Sequence, residues 1–495
     1  MSSDKREDGR KSRKDPASAK TAVEESEAFT RQRAMSGKKT RGAVSERVDR
    51  GQRALDACSL CAQGEWEVHA GREDAIDLLE EQSAARVPEL VPLRYKRMSA
   101  SPFAFYRGSA LIMAHDLSHT PCTGIEVQCI GDAHVANFGI FSSPTRSLVF
   151  DVNDFDETSP GPWEWDIKRL ATSLEICGRD RGFDEKTRRD AVRACARQYR
   201  KSMLRFSKMK TMDVWHFHFD VEQMLKDSEK EMGGKTARTL QKALDEARGK
   251  NSMKAADKLA RFENGRLSFN SKPPELVPVR ELIDSQGYSS TEDLTRAMAK
   301  LLKNYYESIP RDRRKLLSRY RLQDVARKVV GVGSVGTRAW AVLLVGKDEQ
   351  DPLVMQVKEA TASVVERYWR PGEFANSGER VVEGQRLVQS TSDILLGWTS
   401  VDAPGGSSRD YYVRQLWNSK GSIDLDEIEP GGLVGIGKLC ARALAHAHAR
   451  TGDEIAIAEY LDDGDAFEDA LWRFSQAYAD QNQADYETFL ARRER

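Results

Sequence analysis

Hydrophobic and polar positions along this chain alternate between a helical and a two-residue period. DAIDLLEEQSAARVPELVPLRYKRM (74–98) is spaced as a helix that two prolines then break into an extended segment. SPFAFYRGSALIMAHDL (101–117) is apolar enough for a buried helix or strand. IEVQCIGDAHVANFGIF (125–141) alternates and then runs apolar, which predicts one strand entering Gly131-Asp132-Ala133-His134 and another leaving it. SLVFDVNDFDE is a β-branched run ending in acids, and PWEWDIKRLATSLEICGRDRG has helical spacing with an end near Gly178. From 185 to 325 the pattern predicts mainly helices between charged loops. At Val329 the texture changes: VVGVGSVGTRAWAVLLVGKDEQDPLVMQVKEA predicts strand, glycine turn, strand, charged turn and strand, a small antiparallel meander. GERVVEGQRLVQ predicts a helix, DYYVRQLW a strand, and VGIGKLCARALAHAHAR and FEDALWRFSQAYADQNQADYETFLARR two long helices. No internal repeat is present.

Composition narrows the picture. The 495 residues exceed what a single core usually organises, so two or three domains, or a two-lobed domain with helical additions, are expected. Lys+Arg and Asp+Glu both number 77, which points to neither a nucleic acid nor a membrane as the main partner. That balance hides a charged, Ser-rich stretch at 1–55, expected to be a disordered basic tail available to an acidic partner. No apolar run reaches about 18 residues and no secretory apolar segment opens the chain, so a cytoplasmic protein is expected. Seven cysteines make no disulfide scaffold. Cys58 and Cys61 form one CxxC with no second pair to complete a zinc site.

Candidate chemistry starts with Gly331-x-Gly333-Ser334-x-Gly336. A dinucleotide-binding turn opens a helix, whereas here an aliphatic strand follows at once. Strand, glycines and strand resemble the kinase arrangement, whose hairpin lies over nucleotide phosphates. Lys358 follows in the next strand, where a kinase places its phosphate-pairing lysine, and in an apolar run it needs a partner if buried. Glu383 is the natural candidate, with Glu366 and Glu379 as competitors.

Two acid clusters complete the set. Gly131-Asp132-Ala133-His134-Val135-Ala136-Asn137 resembles the Gly-Asp-x-His-x-x-Asn catalytic loop of aminoglycoside and choline phosphotransferases. That resemblance implies Asp132 as proton acceptor, His134 as a loop-orienting group and Asn137 as a Mg²⁺ ligand. Asp154-Phe155-Asp156 stands where kinases carry a metal-binding Asp-Phe-Gly, with Asp151 and Asp156 as further oxygen donors. Trp165-Asp166 follows in the register of a Trp-Asp that opens a helix and braces the catalytic loop, which favours Asp154 over Asp151 as ligand. His446 and His448 lie two apart on a predicted helix and so face different sides.

The order is reversed relative to a kinase, since the catalytic loop precedes the glycine loop, and a circular permutation accounts for this. RVPELVPLRYKRM, SPFAFYRG, GDAHVANFG, VFDVNDFDET, GPWEWDIKRLATSL, GVGSVGTR, VVEGQRLVQ and ALAHAHARTGD together resemble the bacterial family called domain of unknown function 2252, over about 55 to 490. The fold expected is α+β: a two-lobed, protein-kinase-like, circularly permuted fold with extra helices. A helical segment at 56–100 would precede a helical catalytic region at 101–325. A β-rich nucleotide region at 326–430 and C-terminal helices at 431–495 packing back on the large lobe would follow. Gln356, Arg338 and Asp156 depart from the usual kinase residues. The function implied is an ATP- and Mg²⁺-dependent phosphotransferase acting on a small-molecule or protein hydroxyl. Alternatives are a nucleotide-binding regulator without chemistry, a nucleotidyl (AMP) transferase, and a two-metal phosphoesterase using Asp132 and His134, the cluster Asp151, Asp154 and Asp156, and His216 and His218. Arg107, Trp215, His216, Phe217 and His218 are candidates for the acceptor pocket.

Overall fold

The computed structural model describes residues 42–223, 234–249, 252–263, 265–282, 291–329, 331, 333–402, 408–418, 421–462 and 464–493. Most of the expected tail lies outside these residues. Its last part is not disordered, because Val44–Ala57 is a helix with Gly51 and Ala54 buried and Gln52 donating to Glu459 over 3.1 Å. The described residues from Val48 onward make one compact unit.

Helices Trp163–Asp180, Glu185–Phe206, Pro430–Thr451 and Gly464–Arg493 pack on one another and hold the largest core. Pro430–Thr451 is buried on nearly every side from Leu433 to Arg450, as a central helix with small and apolar residues all round must be. Four short strands lie against this body: β1 (Glu126–Cys129), β2 (Phe138–Ser142), β3 (Leu148–Val152) and β4 (Ser159–Pro162). β1 pairs with β4 and β2 with β3, all antiparallel, so the strands entering and leaving Gly131–His134 fall in different small sheets.

The region expected to be helical up to 325 contains strands. β5 (Ala260–Glu263) and β6 (Arg266–Phe269) form a hairpin. β7 (Leu276–Pro278), β8 (Arg321–Lys328), β9 (Ala339–Val345), β10 (Pro352–Ala360), β11 (Gly397–Asp402) and β12 (Ser408–Gln415) form a six-stranded antiparallel sheet in the order β11-β12-β10-β9-β8-β7. The β-rich part therefore starts at 276 and not at 326, and it takes in the helix Thr291–Ser308, which packs on β11. β13 (Gly421–Ser422) then pairs with β2.

Strand alternation gives the large sheet two different faces. Trp340, Val342, Met355, Val357, Tyr411 and Val413 pack with Leu301 and Tyr305 of Thr291–Ser308. On the other face Ala341, Leu343 and Val354 are covered by Ala255, Ala256 and Leu259 of the helix Ser252–Leu259. Farther along that second face the residues turn polar, with Gln356 opposite Arg414 and Lys358 opposite Tyr412. No helix among the described residues is long and apolar enough to cross a membrane.

Candidate functional site

The loop after β1 is held from beneath by one carboxylate. Asp166, in the first turn of Trp163–Asp180, accepts the Ile130 N–H at 2.6 Å and the Gly131 N–H at 2.9 Å. His448 Nε2 lies 3.2 Å from the same carboxylate, and its Nδ1 meets the Tyr199 hydroxyl at 2.7 Å. Gly131 has φ +75°, and a Cβ there would lie 2.3 Å from the Glu157 carbonyl oxygen, so the position admits no side chain. Ser173 Oγ takes the Val135 N–H at 2.9 Å. The loop is thus set by a buried helix and a second, central helix.

Asp132 faces the cleft above this support. Arg169 Nε donates to Asp132 Oδ1 at 2.6 Å while its guanidinium lies 4.4 Å from the Tyr106 ring. Burial raises the Asp132 carboxyl above its ordinary value, with Arg169 working against that shift. His134 Nε2 stands 3.8 Å from Asp132 Oδ2, and burial holds its imidazole well below the usual value, so it is neutral at pH 7. The Asn137 amide donates to the Asp132 carbonyl at 2.8 Å, and the Asn153 N–H joins the Asn137 carbonyl at 3.0 Å, tying the two acid-bearing loops together.

The other wall comes from the six-stranded sheet. Lys358 Nζ contacts Asp156 Oδ2 and lies 3.8 Å from Asp154 Oδ1. Tyr412 and Ser334 donate to Asp156 at 2.9 and 3.3 Å. Burial alone would lower the Lys358 ammonium, but Asp154 and Asp156 more than offset it and raise it above its ordinary value. The lysine is therefore charged throughout the neutral range. The glycine turn bends through Gly331 and Gly336 at φ +62° and +90°. Its carbonyls are held by arginines: Arg86 donates to Gly333 and Val335 at 2.8 and 2.6 Å, and Arg97 to Gly331 at 2.6 Å.

Two adjoining cavities of about 420 and 440 Å³ occupy the space between these walls and share Arg107, Asn137, Asp154, Gly331 and Ser334. The first is lined also by Arg86, Asp132, His134, Asp156, Gly333 and Arg367. The second adds Lys328, Gln356, Lys358, Arg414, Trp417 and Asn418. Asn137, Asp154 and Asp156 offer only hard oxygen donors here, a set suited to Mg²⁺ and not to a softer cation.

Several expected residues fall elsewhere. Glu383 does not meet Lys358; it accepts from Arg386 at 2.6 Å on the partly exposed side of the helix Ser377–Val388. That helix instead sends Arg380 inward, which donates to the Asp156 carbonyl at 2.8 Å and to the Thr361 carbonyl at 2.7 Å. Glu366 accepts the Ser363 N–H at 2.9 Å as part of a capping box, and Glu379 sits in the first turn of Ser377–Val388. Two aspartates already neutralise Lys358, which leaves no role for a helix carboxylate. Asp151 is absent from both cavities. It is buried in β3, accepts the Val152 N–H at 2.8 Å and is pushed up to about 7 by burial. Trp215 stacks under Arg450 at 3.9 Å and Phe217 packs beside Phe219, so neither reaches the cleft, and His216 and His218 are also outside it. Arg107 does line both cavities. Arg86, Arg169, Arg380, Tyr412 and Arg414 are the residues that sequence reasoning missed. For Tyr412 and Arg414 a signal existed, since alternation in DYYVRQ puts both on one face.

No curated protein and no solved structure shows a significant match to the chain. Over residues 86–492, most of its length, the sequence matches the family described as uncharacterized protein conserved in bacteria (DUF2252), and the chain belongs to that family.

Proposed function

We propose that the cleft is the active site of an ATP- and Mg²⁺-dependent phosphotransferase with a circularly permuted, kinase-like arrangement, acting on the hydroxyl of a small molecule or protein. One observation carries the reading. Lys358 and Ser334 from the β-rich part meet Asp156, 202 and 178 positions earlier in the chain, in a cleft that also holds Asp132, Asn137 and Asp154.

Asn137 and Asp154 would hold Mg²⁺, since their oxygen donors fit a hard cation that keeps water and phosphate as its other ligands. Bound Mg-ATP supplies the group to be transferred and spreads charge over its phosphate oxygens. The chain does the rest. Lys358, charged and already poised between two carboxylates, binds phosphate oxygens, with Arg107, which lines both cavities, adding positive charge beside it and Arg86 adding positive charge in the first cavity. The half of the cleft with Gln356, Trp417 and Asn418 receives the nucleoside. Asp132 accepts the proton of the incoming hydroxyl. Burial makes it a stronger base than a free carboxylate, and Arg169 fixes its direction.

The phosphoesterase reading loses support because Asp151, His216 and His218 lie outside the cavities. Incubating the full chain with Mg²⁺ and ATP labelled at the γ or the α position, across graded acceptors, tests the proposal. Transfer of γ label supports it, and transfer of α label replaces it with nucleotidyl transfer. ATP that shifts the melting temperature without any product makes the chain a regulator, and ATP that neither binds nor reacts overturns the reading. Asp132→Asn is expected to lower turnover by about 10²–10⁴-fold.

A further inference from the structure

Three of the eight histidines of the chain converge away from the cleft. His69 lies on the segment before the helix Ala75–Ala84, His115 is in the last turn of Ala110–Leu117, and His119 follows four residues later. Each offers a ring nitrogen within 4.8 Å of the other two, and among the described residues no other group of three His, Cys, Asp or Glu does so. The His69 and His119 rings stack at 3.7 Å, with His115 5.0 Å from His119 and 5.6 Å from His69.

The surroundings are arranged as the outer shell of a metal site is. His115 Nδ1 faces Asp116 Oδ1 at 3.4 Å, and His119 Nδ1 faces the His115 carbonyl at 3.0 Å. Acceptors at Nδ1 fix the ring orientation and leave Nε2 as the ligand nitrogen. The Asp116 carboxylate is itself held by Arg72 at 2.8 and 2.9 Å and by Tyr478 at 2.8 Å. His69 Nε2 is buried without a hydrogen-bond partner among the described residues, an orphan that a metal would satisfy. Glu73 Oε1 stands 3.5 Å from His115 Nε2 and supplies negative charge.

We propose that His69, His115 and His119, with Glu73 as fourth ligand, form a binding site for one zinc-class divalent cation. Nitrogen donors with one carboxylate suit zinc, whereas the oxygen donors of Asn137, Asp154 and Asp156 in the cleft suit a harder cation. Tetrahedral coordination at about 2.0–2.1 Å brings ligand nitrogens to about 3.3 Å, so the cluster must contract on binding. His119 is the exposed member of the three, so the movement falls mainly to its side chain. His69 Nδ1 accepts the Gly71 N–H at 3.2 Å, so coordination through Nε2 transfers its ring proton to Nδ1 and releases that contact. The bound ion would pin the segment carrying His69 and Glu73 to the helix Ala110–Leu117, whose first residues Ala110 and Leu111 line the cleft. His69 precedes the family-matched segment, so family membership does not imply the site.

Untagged full-length protein, stripped with a chelator and titrated with zinc chloride in a calorimeter, tests the proposal. One equivalent is expected to bind and to raise the melting temperature. His119→Ala and His69→Gln should each weaken binding by tenfold or more, and Glu73→Gln should weaken it by less. A His216→Gln, His218→Gln double variant removes an exposed, closely spaced pair outside the cluster and should bind as the parent does. Because His119 is exposed, His119→Ala stays interpretable even where His115→Gln, at a buried position, fails to fold. The absence of a one-equivalent isotherm, or parental affinity in His119→Ala or His69→Gln, overturns the proposal.

Discussion

At the residue scale, burial decides what each carboxylate does. Asp166 is fully buried, yet it has two backbone N–H donors and His448 to answer it. Asp166→Asn leaves one amide nitrogen facing an N–H donor, and is expected to cost about 2–3 kcal/mol by urea denaturation, the worth of charged-group hydrogen bonds lost. Asp151 is the opposite case. It sits in β3 with one N–H donor, and its carboxyl is raised from 3.8 to about 7. The folded chain therefore holds a proton that the unfolded chain releases, so this group makes stability fall as pH rises from about 4 to about 7. Asp151→Asn should flatten that part of the pH profile, and an unchanged slope in urea melts from pH 4 to 8 would show that the group does not titrate as described. Asp151 and Asp154 stand three apart in one acidic run, and the register of Trp165-Asp166 favours the second. Burial separates them physically, since one lies inside a strand and the other on the turn after it.

At the element scale, the loops that carry chemistry depend on close backbone approach. Gly131 and Gly182 both have positive φ, +75° and +68°, but only at Gly131 would a Cβ meet a neighbour within 4 Å. Gly182→Ala should cost about 1 kcal/mol of conformational strain, while Gly131→Ala adds a collision with the Glu157 backbone and should cost about 3 kcal/mol or more. Equal losses by thermal melting would refute the close approach. Much of the element pattern is readable in the sequence: the β9, β10 and β12 strands, the helix Ser377–Val388 and the two long terminal helices follow from periodicity and glycine punctuation. The β5–β6 hairpin escapes that reading, although Asn264-Gly265 is a hairpin signal, because its strands have four residues each and carry charge. β7 has three residues and is visible only through its pairing with β8. The histidine cluster likewise has a local part, His115 and His119 at helical spacing, and a distant part in His69.

At the scale of the whole molecule, the cleft is assembled from segments far apart in sequence. Lys358→Met would remove the ammonium that lies against both Asp154 and Asp156. It is expected to cost about 2–4 kcal/mol, toward the low end for a broken buried pair because the two aspartate side chains remain 30 and 27% exposed. Millimolar Mg²⁺ should recover part of that loss in a melting experiment, and a variant as stable as the parent would show that the ion pair contributes little. Arg86 makes the same point from the other end of the chain, since it holds the Gly333 and Val335 carbonyls from 247 and 249 positions away. By itself the sequence determined most short-range features: the longer periodic strands and helices, where glycine is required, and which acids, amide and lysine stand beside turns. Those depend on side-chain periodicity and backbone sterics within a few residues. Only the tertiary structure decided the partners. Lys358 joins Asp156 and not Glu383, and Arg380 turns inward in place of a glutamate, because a buried charge takes the counter-charge nearest in space and sequence distance does not measure that.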